Sequence, residues 1–283
     1  MQVYTSKTEL NAFINTENRS NFSIGFVPTM GALHEGHLSL VKAALAENSL
    51  VVVSIFVNPT QFNNPEDLNK YPRTLAKDVL LLETFSKTEV VVYAPTVEAI
   101  YGSQSTVESF DFGGLESQME GQFRPGHFDG VGTVVKRLFE IVQPKNAYFG
   151  EKDFQQLQIV KKMVEITQLP VHIKGCPIER AANGLALSSR NSRLSVLELE
   201  NAALLYKTLQ SVKYQFQHDD PKKISEWVRT QFHNHELLRL EYFQISDVET
   251  LAPIQHKNQT KHYRAFIAVY AGDVRLIDNI ALN

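Results

Sequence analysis

The chain has 283 residues, of which 43% are hydrophobic and 21% are charged, and its formal net charge at pH 7 is −3. A chain of this length can bury a full core, and we expect one large domain followed by a smaller one. The slight negative charge argues against nucleic acid as the main partner, and no apolar stretch is long enough to cross a bilayer. The single cysteine cannot form an internal disulfide, and no leading segment resembles a secretion signal. We therefore expect a cytoplasmic protein without a membrane partner.

The hydrophobic pattern predicts that helices and strands alternate over the first part of the chain. The run at 50–57 is apolar without alternation, as expected for a strand covered on both faces. An earlier strand should end at Pro28, because proline lacks an N–H donor. In chain order the predicted elements are helix 6–19, strand 22–27, helix 37–47, strand 50–57, helix 74–85, strand 89–93, helix 130–142, strand 146–149, helix 154–167 and strand 171–175. This alternation predicts an α/β fold with a doubly wound sheet of about five parallel strands.

The last part of the chain follows a different pattern. Its predicted elements are helices near 196–216 and 221–235 and strands near 241–246, 263–270 and 274–278. Ala271-Gly272-Asp273 should join the last two strands as a tight hairpin. We therefore expect a large domain over 1–177 and a smaller α+β domain over 178–283. The weak pattern between 96 and 129 predicts a long functional loop.

Two histidines three residues apart lie between the first strand of the predicted β–α–β unit and its helix, in the segment His34-Glu-Gly-His37. Open α/β sheets bind ligands at this edge, and a helix start offers unpaired N–H groups, so we expect an anion. Imidazoles can donate hydrogen bonds to phosphate oxygens, and Gly36 would let a phosphate approach the main chain. The pattern H-x-G-H is the short signature of nucleotidyltransferases that release pyrophosphate from a nucleoside triphosphate. The alternatives are exposed loop histidines or half of a zinc site.

Polar residues also follow other predicted strands. Lys152 opens a helix, where its ammonium can pair with a triphosphate, and Asp153 can cap that helix or accept a hydrogen bond from a ribose hydroxyl. Asn58 and Gln61 are neutral side chains suited to a hydroxyl-rich small molecule. The alternative for Asn58 is ordinary turn chemistry, since Asn-Pro is a turn signal.

The segment that joins the two predicted domains contains Leu187-Ser188-Ser189-Arg190. Hydroxyl donors beside a guanidinium can hold the β and γ phosphates while pyrophosphate departs, and the position at the junction makes this segment a candidate lid. An ordinary turn is the alternative. Asp78 is a candidate Mg²⁺ contact, with an exposed helical carboxylate as the other interpretation.

From Phe22 to Asn283 the sequence resembles the pantothenate synthetase (pantoate–β-alanine ligase) family. The resemblance rests on seven ordered motifs: Pro28-Thr-Met-Gly-Ala-Leu-His-Glu-Gly-His37, Val57-Asn-Pro-Thr-Gln-Phe62, Tyr71-Pro-Arg-Thr74, Arg124-Pro-Gly-His-Phe128, Phe149-Gly-Glu-Lys-Asp-Phe-Gln-Gln156, Gly184-Leu-Ala-Leu-Ser-Ser-Arg-Asn191 and Arg275-Leu-Ile-Asp-Asn279. It implies a Rossmann-like ATP-binding domain, a smaller C-terminal lid domain and a homodimer.

The same resemblance implies roles for individual residues. It assigns ATP binding to Met30, Gly31, His34, His37, Gly150, Glu151, Lys152, Asp153, Glu179, Leu187, Ser188, Ser189 and Arg190. Catalysis would depend on His34, His37, Lys152, Ser188, Ser189 and Arg190, with His37 as the proton donor. Gln61 and Gln156 would hold pantoate, and Asn58 joins them as a candidate by its position.

The implied reaction uses ATP, Mg²⁺, pantoate and β-alanine. A pantoate carboxylate oxygen attacks the α-phosphorus of ATP, giving pantoyl adenylate and pyrophosphate, and the β-alanine amine then releases pantothenate and AMP. The residues leave two alternatives open. One is another pyrophosphate-releasing nucleotidyltransferase acting on a phosphorylated acceptor, which would need cations where this chain has Asn58, Gln61 and Gln156. The other is a non-catalytic nucleotide-binding protein.

Overall fold

A parallel sheet of six strands forms the first part of the structure, a computed structural model in which residues 1–17, 22–62, 65–102 and 106–283 are described. The strands are β1 (Val3–Tyr4), β2 (Ile24–Thr29), β3 (Leu50–Ile55), β4 (Val90–Tyr93), β5 (Asn146–Gly150) and β6 (His172–Cys176). Their spatial order is β1-β4-β3-β2-β5-β6, so β1 lies at the edge beside β4, and after β2 the chain adds β3 and β4 on one side and β5 and β6 on the other. Ligands bind such sheets where the strand order reverses, beyond the carboxyl ends of the strands.

Helices cover both faces of this sheet. They are α1 (Lys7–Glu17), α2 (Glu35–Glu47), α3 (Pro65–Lys70), α4 (Leu75–Leu82), α5 (Val97–Tyr101), α6 (Met119–Phe123), α7 (His127–Val142) and α8 (Phe154–Thr167). Successive residues of one strand enter different cores: Phe26 packs with α7 and α8, whereas Val27 packs with α2. Side chains of a strand alternate between faces, so the unbroken apolar runs of β2 and β3 fill two cores at once.

The C-terminal part contains two helices and an antiparallel sheet. The helices are α9 (Val196–Gln215) and α10 (Pro221–Phe232), and the strands are β7 (Leu238–Asp247), β8 (Tyr263–Ala271) and β9 (Val274–Ala281), in the order β7-β8-β9. Ala271 pairs with Val274, which confirms the predicted hairpin. These elements enclose a third core of their own. The predicted α/β fold with a smaller α+β part at the C-terminus is therefore confirmed, while the boundary at residue 177 stays a prediction.

Several predicted elements differ in detail from the structure. β2 continues through Pro28 to Thr29, contrary to our expectation. Pro28 pairs with Ser54 of β3, whereas the pairing of β2 with β5 already ends at Phe26. The proline therefore has a neighbouring strand on one side only, where its missing N–H is tolerated. α2 begins two residues earlier than predicted, and the expected loop at 96–129 contains α5, α6 and the start of α7. The sequence analysis did not predict β1, because a strand of two residues is too short to show a hydrophobic pattern. The predicted end of the first helix, at 18–19, lies outside the described residues.

A buried ion pair joins the C-terminal sheet to the first part of the chain. Arg275 of β9 donates to both carboxylate oxygens of Glu120 in α6, at 2.7 and 2.8 Å, and its Nε donates to Glu241 at 2.7 Å. The hydroxyl of Tyr242 also donates to Glu120, at 2.8 Å. Burial alone raises the pKa of Glu120, but the hydrogen bonds and charge of Arg275 outweigh it and lower the pKa overall. The carboxylate is therefore ionised, and the pair joins β9 to α6.

Candidate active site

A cavity of about 820 Å³ lies between the carboxyl ends of the parallel strands and the C-terminal part of the chain. Its walls come from the turn after β2, the segment after β3, the start of α8, the connection after β6, and β9. This is the size of a site for a small organic ligand or nucleotide. The predicted residues that line it are Met30, His34, His37, Asn58, Gln61, Gly150, Lys152, Asp153, Gln156, Glu179, Leu187, Ser188, Ser189 and Arg190. Gly31, Glu151 and Asp78 are not part of its lining.

The two histidines cap the N-terminus of α2. His34 is the N-cap residue, and its Nδ1 accepts a hydrogen bond from the Gly36 N–H at 3.1 Å. Nδ1 of His37 accepts from the His34 N–H at 3.3 Å, so the two imidazoles form a reciprocal capping box. A Cβ on Gly36 would lie 2.9 Å from Cε1 of His34, so the glycine is needed for space. Because each Nδ1 is an acceptor, each neutral ring carries its proton on Nε2.

Both histidines are neutral at physiological pH in the ligand-free protein. Burial, followed by the charge of Lys152, lowers the pKa of His34 to about 4. Burial, followed by the neighbouring His34 and then Lys152, lowers the pKa of His37 to about 3. The capping geometry requires the same state, since a protonated Nδ1 could not accept. The site of the ligand-free protein therefore offers two Nε2–H donors, and the role of His37 as proton donor stays a prediction.

The turn before these histidines is held by Asp78. Gly31 has a φ of +81° and Ala32 a φ of +51°, both in the left-handed region. The Asp78 carboxylate accepts from the main-chain N–H of Ala32 at 3.0 Å and of Leu33 at 2.8 Å, and from the Thr74 hydroxyl at 3.2 Å. Asp78 is only 2% exposed. It is therefore not an exposed carboxylate, and its oxygens accept the hydrogen bonds that fix the turn.

Lys152 lies in a short 3₁₀ turn, Glu151–Asp153, between β5 and α8. Its Nζ is 3.5 Å from a carboxylate oxygen of Asp153, and its charge acts on both imidazoles. Asp153 occupies the N-cap position of α8, but its side chain makes no capping hydrogen bond, and its other predicted role, accepting from a ribose hydroxyl, stays a prediction. The Glu151 carboxylate accepts from Arg264 at 3.0 Å, so this side chain joins the C-terminal sheet to the turn.

The segment Ser188–Arg190 contacts the histidine turn directly. The Ser189 hydroxyl donates to the carbonyl of Ala32 at 3.0 Å, while the Ser188 hydroxyl accepts from the Arg190 N–H at 3.3 Å and caps the next 3₁₀ turn. Arg190 donates to Asp67 at 2.8 Å. Burial raises the pKa of Asp67, but Arg190 and then Arg193 lower it by more, so this carboxylate is ionised.

Gln61 lies in the part of the cavity wall formed by the segment after β3, where several hydrogen bonds hold it. Its Oε1 accepts from Nδ2 of Asn58 at 3.1 Å, and its main-chain carbonyl accepts from Arg124 at 3.0 Å and from Nδ1 of His127 at 2.8 Å. Burial, followed by the charge of Arg124, lowers the pKa of His127 to about 4, so a neutral ring donates this bond. Asn58 is 1% exposed and also accepts from the Tyr101 hydroxyl at 2.6 Å. The Asn58 side chain therefore positions Gln61.

Some residues of the site were missed by the sequence analysis. His127 lay in a recognised motif without an assigned role, although its contact with Gln61 is direct. Asp67, which pairs with Arg190 and Arg193, carries no sequence signal because acidic residues near a helix start are common. Among the described residues, no three histidine, cysteine or acidic side chains converge as a metal-binding group.

Comparisons with known proteins identify the family of this chain. Residues 2–281 match the family model described as pantoate-beta-alanine ligase. A pantothenate synthetase of Christiangramia forsetii is 55% identical over 283 residues, and one of Flavobacterium psychrophilum is 52% identical over 282 residues; each match covers 100% of both chains.

Solved structures resemble the whole chain as well. The crystal structure of pantothenate synthetase from Thermus thermophilus has a TM-score of 0.90 and 39% identity, with 100% of this chain and 99% of that chain covered. The pantoate-beta-alanine ligase from Francisella tularensis, complexed with beta-gamma ATP and β-alanine, has a TM-score of 0.79 and 36% identity, with 100% and 98% covered. On the evidence of its sequence, fold and cavity, the chain belongs to the pantoate–β-alanine ligase family.

Proposed function

We propose that this pantothenate-forming ligase condenses (R)-pantoate with β-alanine through a pantoyl adenylate made in the cavity between its two parts. The observation that carries the proposal is the pair of Nε2–H donors at the start of α2, in the same cavity as the Lys152 ammonium. Neutral amides of Gln61 and Gln156 line that cavity too. Cationic and N–H groups suit a triphosphate, and neutral amides suit a hydroxy acid.

In the first step a pantoate carboxylate oxygen attacks the α-phosphorus, and the bond from that phosphorus to the pyrophosphate oxygen breaks. Negative charge builds up on the departing pyrophosphate. His34, His37 and Lys152, with Ser188, Ser189 and Arg190, stabilise it. Each preorganised donor of this kind contributes about 3–4 kcal/mol in favourable sites, whereas a helix N-terminus alone contributes about 0.3–2 kcal/mol. The side chains therefore supply most of the electrostatic stabilisation.

In the second step the β-alanine amine attacks the activated carbonyl, and AMP leaves with the carboxylate oxygen it gained. No protein nucleophile is needed, because the adenylate is itself reactive. The C-terminal part acts as a lid that keeps water away from this intermediate. The Francisella tularensis relative, solved with beta-gamma ATP and β-alanine, supports these two ligands for this chain.

Magnesium enters the proposal as part of the nucleotide substrate. No metal-binding group of three side chains occurs in the part of the chain that the structure describes, and Asp78 is used by the main chain. Triphosphate oxygens then supply the ligands of Mg²⁺, which prefers oxygen and retains waters. The proposal also includes a cytoplasmic location and a homodimer; sedimentation of the purified protein tests the homodimer. No described helix has the length and apolar character of a membrane span.

Omission of single substrates separates the proposal from its alternatives. With ATP and Mg²⁺ present, pyrophosphate release should require pantoate, and AMP release should require β-alanine as well. A nucleotidyltransferase for phosphorylated acceptors would release pyrophosphate without pantoate once its acceptor is added. A non-catalytic binding protein would release neither product.

Replacing His37 by alanine should lower the single-turnover rate of pyrophosphate release by about 10²-fold or more, because one preorganised donor to the leaving group is lost. His37→Gln retains an N–H donor and should recover part of the rate. The control is His256→Ala, an exposed histidine outside the cavity. Rapid-quench assays measure the rate, and thermal melting checks the fold. A normal burst of pyrophosphate from His37→Ala would contradict the proposed role.

The pH profile of the same step tests the neutral state of the imidazoles. With the pKa of His34 at about 4 and that of His37 at about 3, neither ring changes charge between about pH 6 and 8 in the ligand-free protein. We therefore expect kcat/KM for ATP, which reports the protonation states of the ligand-free enzyme, to stay level in this range. If an imidazolium of ordinary pKa were the required acid, kcat/KM would fall about tenfold per pH unit above about 6.5.

Removing the Gln61 amide should weaken pantoate binding selectively. Gln61→Ala should raise the Kd for pantoate about 3- to 10-fold, because a neutral hydrogen bond contributes about 0.5–1.5 kcal/mol. ATP binding should change little, and so should both affinities in the control Gln210→Ala, which alters an exposed position of α9. Calorimetric titration measures both ligands. Weaker ATP binding with unchanged pantoate binding would be the opposite of what we expect.

A further inference from the structure

The last motif of the sequence analysis, Arg275–Asn279, has no role in the chemistry proposed above, yet its final residue contacts the Lys152 turn. Asn279 lies in β9 and is 2% exposed. Its Nδ2 donates to the main-chain carbonyls of Glu151 and Lys152, at 2.9 Å each. An amide nitrogen has two hydrogens, so both are used on adjacent peptide groups of the turn.

The orientation of this amide is fixed by its other partners. Oδ1 of Asn279 accepts from Nη1 of Arg264, which can only donate, while the two carbonyls can only accept. The main-chain N–H of Asn279 donates to the Asp278 carboxylate at 2.8 Å. The same carboxylate accepts hydrogen bonds from Nη1 and Nη2 of Arg180, at 2.6 and 2.9 Å. The amide therefore has one arrangement that satisfies every neighbour, and it cannot flip without losing its bonds.

Arg264 strengthens the same contact. Its Nη2 donates to the Glu151 carboxylate at 3.0 Å, and its guanidinium lies 4.0 Å from the centre of the Phe154 ring. β8 and β9 thus hold the turn through its main chain, through the Glu151 carboxylate and through the first residue of α8. The Lys152 side chain is only 19% exposed, and its Nζ lies 3.5 Å from the Asp153 carboxylate. Because its surroundings confine the side chain, the position of its ammonium depends on where the main chain of the turn is held.

We propose that Asn279 is a positioning residue for the ligase reaction: from the C-terminal sheet it holds the Glu151–Asp153 turn so that Lys152 meets the triphosphate beside the paired histidines. The inference rests on the proposed role of Lys152 in adenylate formation. It makes the docking of the C-terminal part a condition for the first chemical step, in addition to any shielding of the intermediate. Small displacements of a charged group in a preorganised site are costly, because stabilisation depends on alignment with the reacting atoms.

A double-mutant cycle tests this inference. Single-turnover pyrophosphate release is measured for the full chain, Asn279→Ala, Lys152→Ala and the double variant, at saturating ATP and pantoate. We expect Asn279→Ala to slow the step about 10- to 10²-fold in the natural background. In the Lys152→Ala background the same substitution should change the rate less than about 2-fold, because the group being positioned is already gone.

The matched control is Asn283→Ala. Asn283 also bridges two main-chain groups, accepting from the Tyr263 N–H at 2.8 Å and donating to the Lys261 carbonyl at 2.9 Å, but it does so within the C-terminal part. Its replacement should leave the rate unchanged. Asn279→Asp is the second variant in case Asn279→Ala fails to fold. It keeps the shape of the side chain and the acceptor for Arg264, but it places an oxygen, which cannot donate, against the two carbonyls. It should slow pyrophosphate release at least as much as Asn279→Ala.

Each result decides the question. Equal losses from Asn279→Ala in both backgrounds would show a general structural effect and overturn the positioning role, as would an unchanged rate in Asn279→Ala. If Lys152→Ala alone released pyrophosphate at the natural rate, the proposed role of Lys152 would fail first, and the inference with it. Calorimetric titration of pantoate should give the same Kd for Asn279→Ala and the unchanged chain, since Asn279 acts on the nucleotide side.

Discussion

The N-terminus of α2, capped by two imidazoles, is the constraint on which the site depends. A helix start leaves four N–H groups without partners, and here the caps are supplied by the side chains that face the ligand cavity. Because His34 and His37 accept through Nδ1, capping fixes the tautomer, the ring orientation and the neutral charge state together. Two Nε2–H donors are thus preorganised before any nucleotide arrives.

The surrounding structure holds this capped helix start in place from both parts of the chain. Asp78 fixes the left-handed turn that precedes it, and Ser189 reaches the same turn from the connection after β6. On the other side, the C-terminal sheet is tied to the first part by Arg275 and Glu120 and reaches the Lys152 turn through Asn279. The cavity of this pantothenate-forming ligase is therefore assembled by contacts between residues far apart in sequence.

The sequence predicted the layout of the fold, and most of the predicted site residues line one cavity. Uninterrupted apolar runs required strands buried on both faces, and the pattern H-x-G-H after such a strand pointed to the sheet edge at which the cavity lies. The sequence could not predict that the Asp78 carboxylate binds main-chain N–H groups, because its burial and its partners arise only when α4 packs against the turn. The pairing of Asp67 with Arg190 and the contact of Asn279 with the Lys152 turn are equally long-range. The charge states of the histidines depend on how deeply the rings are buried, and the local sequence does not encode burial.

The central claim is that a carboxylate oxygen of pantoate becomes bonded to the α-phosphorus of ATP in this cavity. It is tested most directly by supplying pantoate labelled with ¹⁸O in its carboxylate, together with ATP, Mg²⁺ and β-alanine, and measuring the mass of the AMP released. Transfer of one labelled oxygen to AMP for each pantothenate formed is the result that the adenylate route predicts. AMP without the label, with pantothenate still being made, would contradict it.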